Sequence, residues 1–326
     1  MTWLVWRQHR QQALAAVVAL LAVALFLVPT GRQLHAAFDE LGLEACLGAD
    51  SRPELVSPDD GCGTLSERFS GRFQGLALAS LLLLFLPVLA GLFWGAPLVA
   101  REIEHGTHRL VWTQGMTRLR WATVKLALVG GGVLLVAAVY ALLAGWWITP
   151  LNDATGYRFT WLFFDQQGPV LVGYALFAFA LGVLAGTLTG KVLPAMAVTL
   201  AGFLATRVAV ALLLRPRFLP QRRRTYPLVS GSPAEPNQLA GDWVISRGVY
   251  SAQGVKLTPG SGSQVLCDQT AQAACVAKYG AGAYNQDLFQ PADRFWLFQG
   301  IETALFVALA VLLVLAAVHI VRRRIA

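Results

Sequence analysis

VLVGYALFAFALGVLAGTLTGKVLPAMAVTLAGFLATRVAVALLL, residues 170–214, decides the architecture. Val170 to Leu188 carries no charge, and Val192 to Leu214 carries only Arg207. About 20 such residues cross a hydrocarbon core of roughly 30 Å as a helix, and only a helix or a closed barrel satisfies its own backbone there. Thr189-Gly190-Lys191 is a tight link between the two runs, and Gly168-Pro169 marks the start of the first. The pair reads as two antiparallel membrane helices.

Four more apolar runs flank them. Ala13 to Val28 is short, but Gln11, Gln12 and Pro29 extend it to the interfaces. Leu76 to Ala100 contains Pro87 and Pro97, which predict kinks. Ala122 to Ile148 begins with Lys125, placed to snorkel, and ends with Trp146 and Trp147 at an interface. The last runs from about Trp296 to Ile320 and stops at Arg322-Arg323-Arg324. Over 326 residues, 56% are hydrophobic and only 13% charged, well below the roughly 25% charged of soluble domains. The ten-residue alternation of a membrane barrel is missing. The expected fold is therefore an all-α membrane protein with six transmembrane helices. Residues 1–12, with Trp3, Trp6, Arg7 and Arg10, suit an interfacial helix before the first.

Six spans put both termini on one side. With that side cytoplasmic, the inner segments hold Arg7, Arg10, Arg101, Arg109, Arg118, Arg120, Lys191 and the terminal arginines. Arginines near the membrane after Leu214 weaken the charge rule, so cysteine placement is the stronger argument. Cys46 and Cys62 share the expected outside loop 30–75, and Cys267 and Cys275 share the outside segment 215–294. Two local disulfides in an oxidising space are expected, against the alternative of free thiols. Segment 215–294 is rich in Pro, Gly, Ser and Gln, with strand-like fragments at Trp243 to Ser246 and Gly248 to Tyr250. It reads as a mixed cap before the last helix and the basic tail, residues 295–326.

Catalytic motifs fail. A phosphate-binding G-x-x-x-x-G-K-[ST] loop would need glycine at Ala185 and Ser or Thr at Val192. His105 and His108 lack the H-E-x-x-H order of a zinc protease, and no G-x-S-x-G elbow occurs, so neither a catalytic residue nor a metal site is expected. The net charge of +8 is spread over loops beside spans rather than gathered on a soluble face, which argues against nucleic acid. The compact charged segment is Arg101 to Arg109, within a cytoplasmic link of residues 101–121 between the second and third spans. Its carboxylates at Glu102 and Glu104 suit a partner's cations, Gly106 a sharp turn and Thr107 a cap. From the residues alone, a docking element and an inert charged turn both remain open.

Three blocks carry a resemblance: Trp3 to Arg10, Ala100 to Gln114 with its Glu-x-Glu-x-Gly-Thr core, and Gln290 to Trp296. With them the chain resembles an actinobacterial permease of the type-2 ABC exporter family. The resemblance implies a dimer of permeases, with a second or homologous copy, joined to two ABC ATPase subunits at a bacterial plasma membrane. ATP and magnesium would sit on the ATPase, with no cofactor bound by this chain. It also implies that Arg101, Glu102, Glu104, His105, Gly106, Thr107 and Arg109 form the element that docks on the ATPase, and that the cargo is a lipid, a drug-like molecule or a peptide. From another class, a membrane-anchored sensor with an outer recognition segment is the alternative.

Two charges lie within spans, Arg207 and Glu302, each roughly 10 Å below the outer end of its helix at 1.5 Å per residue. Such charges usually face a partner or water. They are expected either to pair with each other or line an outer path, or to lie shallower and snorkel.

Overall fold

The computed structural model describes residues 2–47, 62–106, 117–229, 241–258, 265–267 and 272–324. Among the described residues, six helices are long and apolar enough to cross a membrane: Arg10–Glu40, Gln74–Glu104, Leu119–Thr155, Val170–Thr189, Val192–Arg217 and Ala292–Arg322, the first to sixth spans. The membrane part is thus all-α. The first helix runs unbroken over Thr2–Glu40 and carries Pro29 inside it. Residues 2–12, read from the sequence as an interfacial helix, are helical and continuous with the first span, and the segment expected as a loop from residue 30 begins helical. Contacts with the third span hold this extension: the Trp147 indole N–H donates to Thr30 Oγ1 at 2.8 Å, and His35 stacks on Trp146 with centroids 5.0 Å apart.

The fourth span is the most enclosed and packs on the second, fifth and sixth. It approaches the second span through glycine. A Cβ on Gly91 or Gly95 would strike the carbonyls of Ala178 or Phe179, and one on Gly182 the carbonyl of Gly91. Small residues let the two backbones meet, as van der Waals packing in lipid favours. Gly190, at φ +62°, ends the fourth span, and Lys191 leads into the fifth.

The second span is interrupted twice, each time just before a proline. Its helix over Gln74–Leu83 stops, resumes at Leu86–Ala90, widens to a π-turn over Gly91–Gly95 and ends as Ala96–Glu104. Pro87 has no N–H for the carbonyl of Leu83, and the Tyr140 hydroxyl donates to it instead at 2.9 Å. Val88 N–H bonds to Phe85, which leaves the Leu84 carbonyl to accept Arg207 Nη1 at 3.2 Å. The carbonyl of Phe93, opposite Pro97, accepts Gln12 Nε2 at 3.4 Å.

On the face opposite the termini, the chain between the fifth and sixth spans forms a three-stranded antiparallel sheet in the order β1-β3-β2. Its strands are β1 (Arg222–Pro227), β2 (Trp243–Tyr250) and β3 (Tyr284–Gln290). Asp287, fully buried in β3, takes both Arg247 Nε and Nη2 at 2.8 and 3.0 Å and Arg224 at 3.4 Å. Burial, with the Asp287 carboxylate beside it, raises the pKa of Tyr226 above the ordinary tyrosine value. Phe159, Trp243, Phe295 and Phe298 join the sheet to the spans, with Trp243 stacked on Phe159 at 5.7 Å. Asp242 accepts the Ala292 N–H at 3.1 Å and ties the sheet to the head of the sixth span.

Candidate functional site

On the face that carries the termini, the second span ends in the charged segment. Ala96–Glu104 closes at His105, and Gly106, at φ +69°, turns the chain back with its N–H on the Ile103 carbonyl. His105 Nδ1 lies 2.8 Å from the Arg101 carbonyl. Thr107 and Arg109 lie outside the described residues. Glu102 forms an ion pair with Lys125 of the third span. Lys125 is only 4% exposed and sits 4.9 Å from the Trp121 ring, so it does not snorkel: the carboxylate offers it a nearer anion than the headgroups. Glu104 Oε2 accepts the Val192 N–H at 3.1 Å and so caps the fifth span, where the helix dipole favours an anion. Thr117 Oγ1 accepts the Arg120 N–H at 3.3 Å and caps the third. The two carboxylates thus join the end of the second span to two others. Arg101, Glu104, His105 and Gly106 are exposed, and Glu102 is half-buried.

A second cluster lies toward the sheet. Arg207 and Glu302 are both buried, but they do not pair directly. Arg207 Nη2 donates to Asp165 Oδ2 at 2.9 Å. Arg215 donates through Nη2 to Asp165 Oδ1 at 2.6 Å, and through Nε and Nη2 to Glu302 at 2.8 Å each. The Tyr174 hydroxyl is within reach of both acids, 2.9 Å from Asp165 and 2.5 Å from Glu302. The direct pair gives way to a chain of alternating charge because Asp165 and Arg215 stand between its ends. Two guanidinium and two carboxylate groups then sum to zero, which suits a low-dielectric site. Phe164 and Tyr174 cover it, with Arg215 4.0 Å from the Phe164 ring centroid and Arg207 4.8 Å from that of Tyr174.

The segment that supplies Asp165 connects the third and fourth spans and is folded into the protein. Asp165, Gln166 and Gln167 are buried, and Gln299 of the sixth span donates to the Phe164 carbonyl at 2.8 Å and accepts the Val170 N–H at 3.3 Å. Asp165, Arg215, Tyr174 and the true partner of Lys125 escaped the sequence reading. A lone acid inside the aromatic run Phe159 to Tyr174, and an arginine directly after the apolar run to Leu214, were the available signals.

Cys267 and Cys275 form a disulfide that fastens the short helix Gln272–Tyr279 beside the sheet. Cys62 is disulfide-bonded as well, while the side chain of Cys46 lies outside the described residues.

No curated protein and no solved structure matches the chain. The family model described as ABC-2 membrane transporter related matches residues 17–215, from within the first span to the end of the fifth. That is more than half of the chain's 326 residues. Such domains are the membrane subunits that pair with an ABC ATPase and do not themselves bind nucleotide. With six apolar helices and this match, the chain belongs to the ABC-2 membrane transporter family as a membrane-spanning subunit of an ABC transporter.

Proposed function

We propose that the subunit exports a lipid, drug-like or peptide substrate, driven by two copies of a separate ABC ATPase that hold ATP and magnesium. The termini face the cytoplasm of a bacterial cell, and a second permease copy or a homologue completes the complex. One observation carries the reading: Glu102 joins Lys125 while Glu104 caps Val192, so a force applied at Gly106 acts on the second, third and fifth spans together. An inert turn would need neither attachment. ATPase closure pushes the exposed group Arg101, Glu104 and His105, together with Thr107 and Arg109 beyond it, and the two carboxylates pass the displacement into the bundle.

Affinity capture from membranes that hold both subunits, with transport and ATPase assays, tests this. Arg101→Glu should leave the permease inserted and monodisperse while the ATPase is lost from the capture. Glu102→Gln should retain the ATPase but lower transport relative to ATP hydrolysis. Wild-type transport and stimulated ATPase activity in both variants would argue against the reading. A membrane sensor, by contrast, need not bring down a P-loop ATPase at all.

A further inference from the structure

Behind the first span lies a cavity of about 640 Å³, walled by the first three spans and floored by the fourth at Leu171 and Ala175. Its walls are almost wholly apolar and include Ala16, Leu20, Ala90, Trp94, Gly132 and Val136. The first span packs chiefly on the third, so the space between the first and second spans stays open along one side. At the two ends stand Gln12 and Tyr140, and each turns a donor onto a carbonyl of the second span, Phe93 and Leu83. The interior therefore gives water little to bond to, and a dry void of this size would forfeit dispersion contacts along all its walls.

Its shape selects the occupant. The third span lines it from Leu128 to Tyr140, about 18 Å at 1.5 Å per residue, parallel to the helix axes. One leaflet of a hydrocarbon core is roughly 15 Å deep. The volume lies within the range of roughly 300–1,000 Å³ typical of small-molecule sites. On the face that carries the termini, exposed Arg10 lies two residues before the lining residue Gln12, and exposed Arg120 lies about two helical turns before Leu128, where cationic side chains attract anionic headgroups. We infer that the slot binds one acyl chain of an anionic bilayer lipid, held between the first and second spans with its headgroup toward the terminal face.

Gly132 provides the test. A Cβ there meets nothing within 4 Å, so Gly132→Phe projects a ring into the slot without striking backbone. Gly131, equally open but not part of the lining, supplies the matched control Gly131→Phe. The purified protein is placed in phosphatidylethanolamine vesicles containing phosphatidylglycerol with a mid-chain diazirine. After illumination, labelled peptides are mapped by mass spectrometry. Label should concentrate on the slot walls of the wild type and of Gly131→Phe, and be lost in Gly132→Phe. Ala16→Phe, which fills the slot from the opposite wall, should give the same loss and stands in if Gly132→Phe does not fold. Label spread evenly over all lipid-facing helices, or retained in the filled variants, would overturn the site. So would crosslinks that join two copies of the chain through the slot walls. Equal labelling by a phosphatidylethanolamine probe would overturn the headgroup assignment.

Discussion

Arg215 holds the intramembrane network together, since it is the cation that ion-pairs with both buried acids, which the Tyr174 hydroxyl also reaches. Its fork reaches Glu302 through two nitrogens, a geometry that a lysine's point charge cannot reproduce. Removing one partner from such a set leaves a buried charge uncompensated, which typically costs about 3–5 kcal/mol. Asp165→Asn should therefore lower the unfolding midpoint in mild detergent strongly, because it strips both Arg207 and Arg215 of a carboxylate. Double-mutant cycles separate the links: coupling should be larger for Arg215 with Glu302 than for Arg207 with Glu302, whose link runs through Asp165 and then Arg215 or Tyr174. The reverse order, or wild-type unfolding of Asp165→Asn, would refute this wiring. In the sequence, Arg207 and Glu302 announced that buried charge needed an answer. Which residue answered was hidden, because Asp165 sits in a stretch that looks like a connection and Arg215 looks like a membrane flank.

The second span shows how an element combines legible and illegible features. Pro87 and Pro97 predict its interruptions, because an imide has no donor for the carbonyl one turn back. The groups that take over those carbonyls, Tyr140, Arg207 and Gln12, come from other spans, and no local pattern points to them. The same holds at its end. Glu102 and Glu104 stood out as an exposed acidic pair, yet Lys125 and Val192, which receive them, lie 23 and 88 positions away. The cap from Glu104 belongs to the helix it serves. Losing a capping side chain typically costs about 0.5–2 kcal/mol, so Glu104→Ala should loosen the first turn of the fifth span. Hydrogen exchange at Val192 and the residues after it should quicken in Glu104→Ala and stay closer to wild type in Glu104→Gln, which keeps an acceptor. Unchanged exchange in Glu104→Ala would show that the cap does not hold that turn.

At the scale of the molecule, the sheet and the charged segment stand on opposite faces, and the bundle between them is fixed by the closest helix contacts, at Gly91, Gly95 and Gly182. The sheet is bound to the sixth span through Asp242 and the Phe159, Trp243 and Phe298 rings. The proposed orientation draws on the chemistry of the two faces. A disulfide such as Cys267–Cys275 is favoured in an oxidising compartment, and the exposed Arg10, Arg101 and Arg120 on the opposite face suit a cytoplasmic leaflet. A membrane-impermeant maleimide applied to intact cells should leave the wild-type chain unlabelled until an impermeant reductant is added, and then label Cys267 and Cys275. His105→Cys, at an exposed position beside Gly106, should react only once the membrane is opened. Labelling of His105→Cys in intact cells, with Cys267 and Cys275 protected, would invert the subunit and place the charged segment beyond reach of a cytoplasmic ATPase.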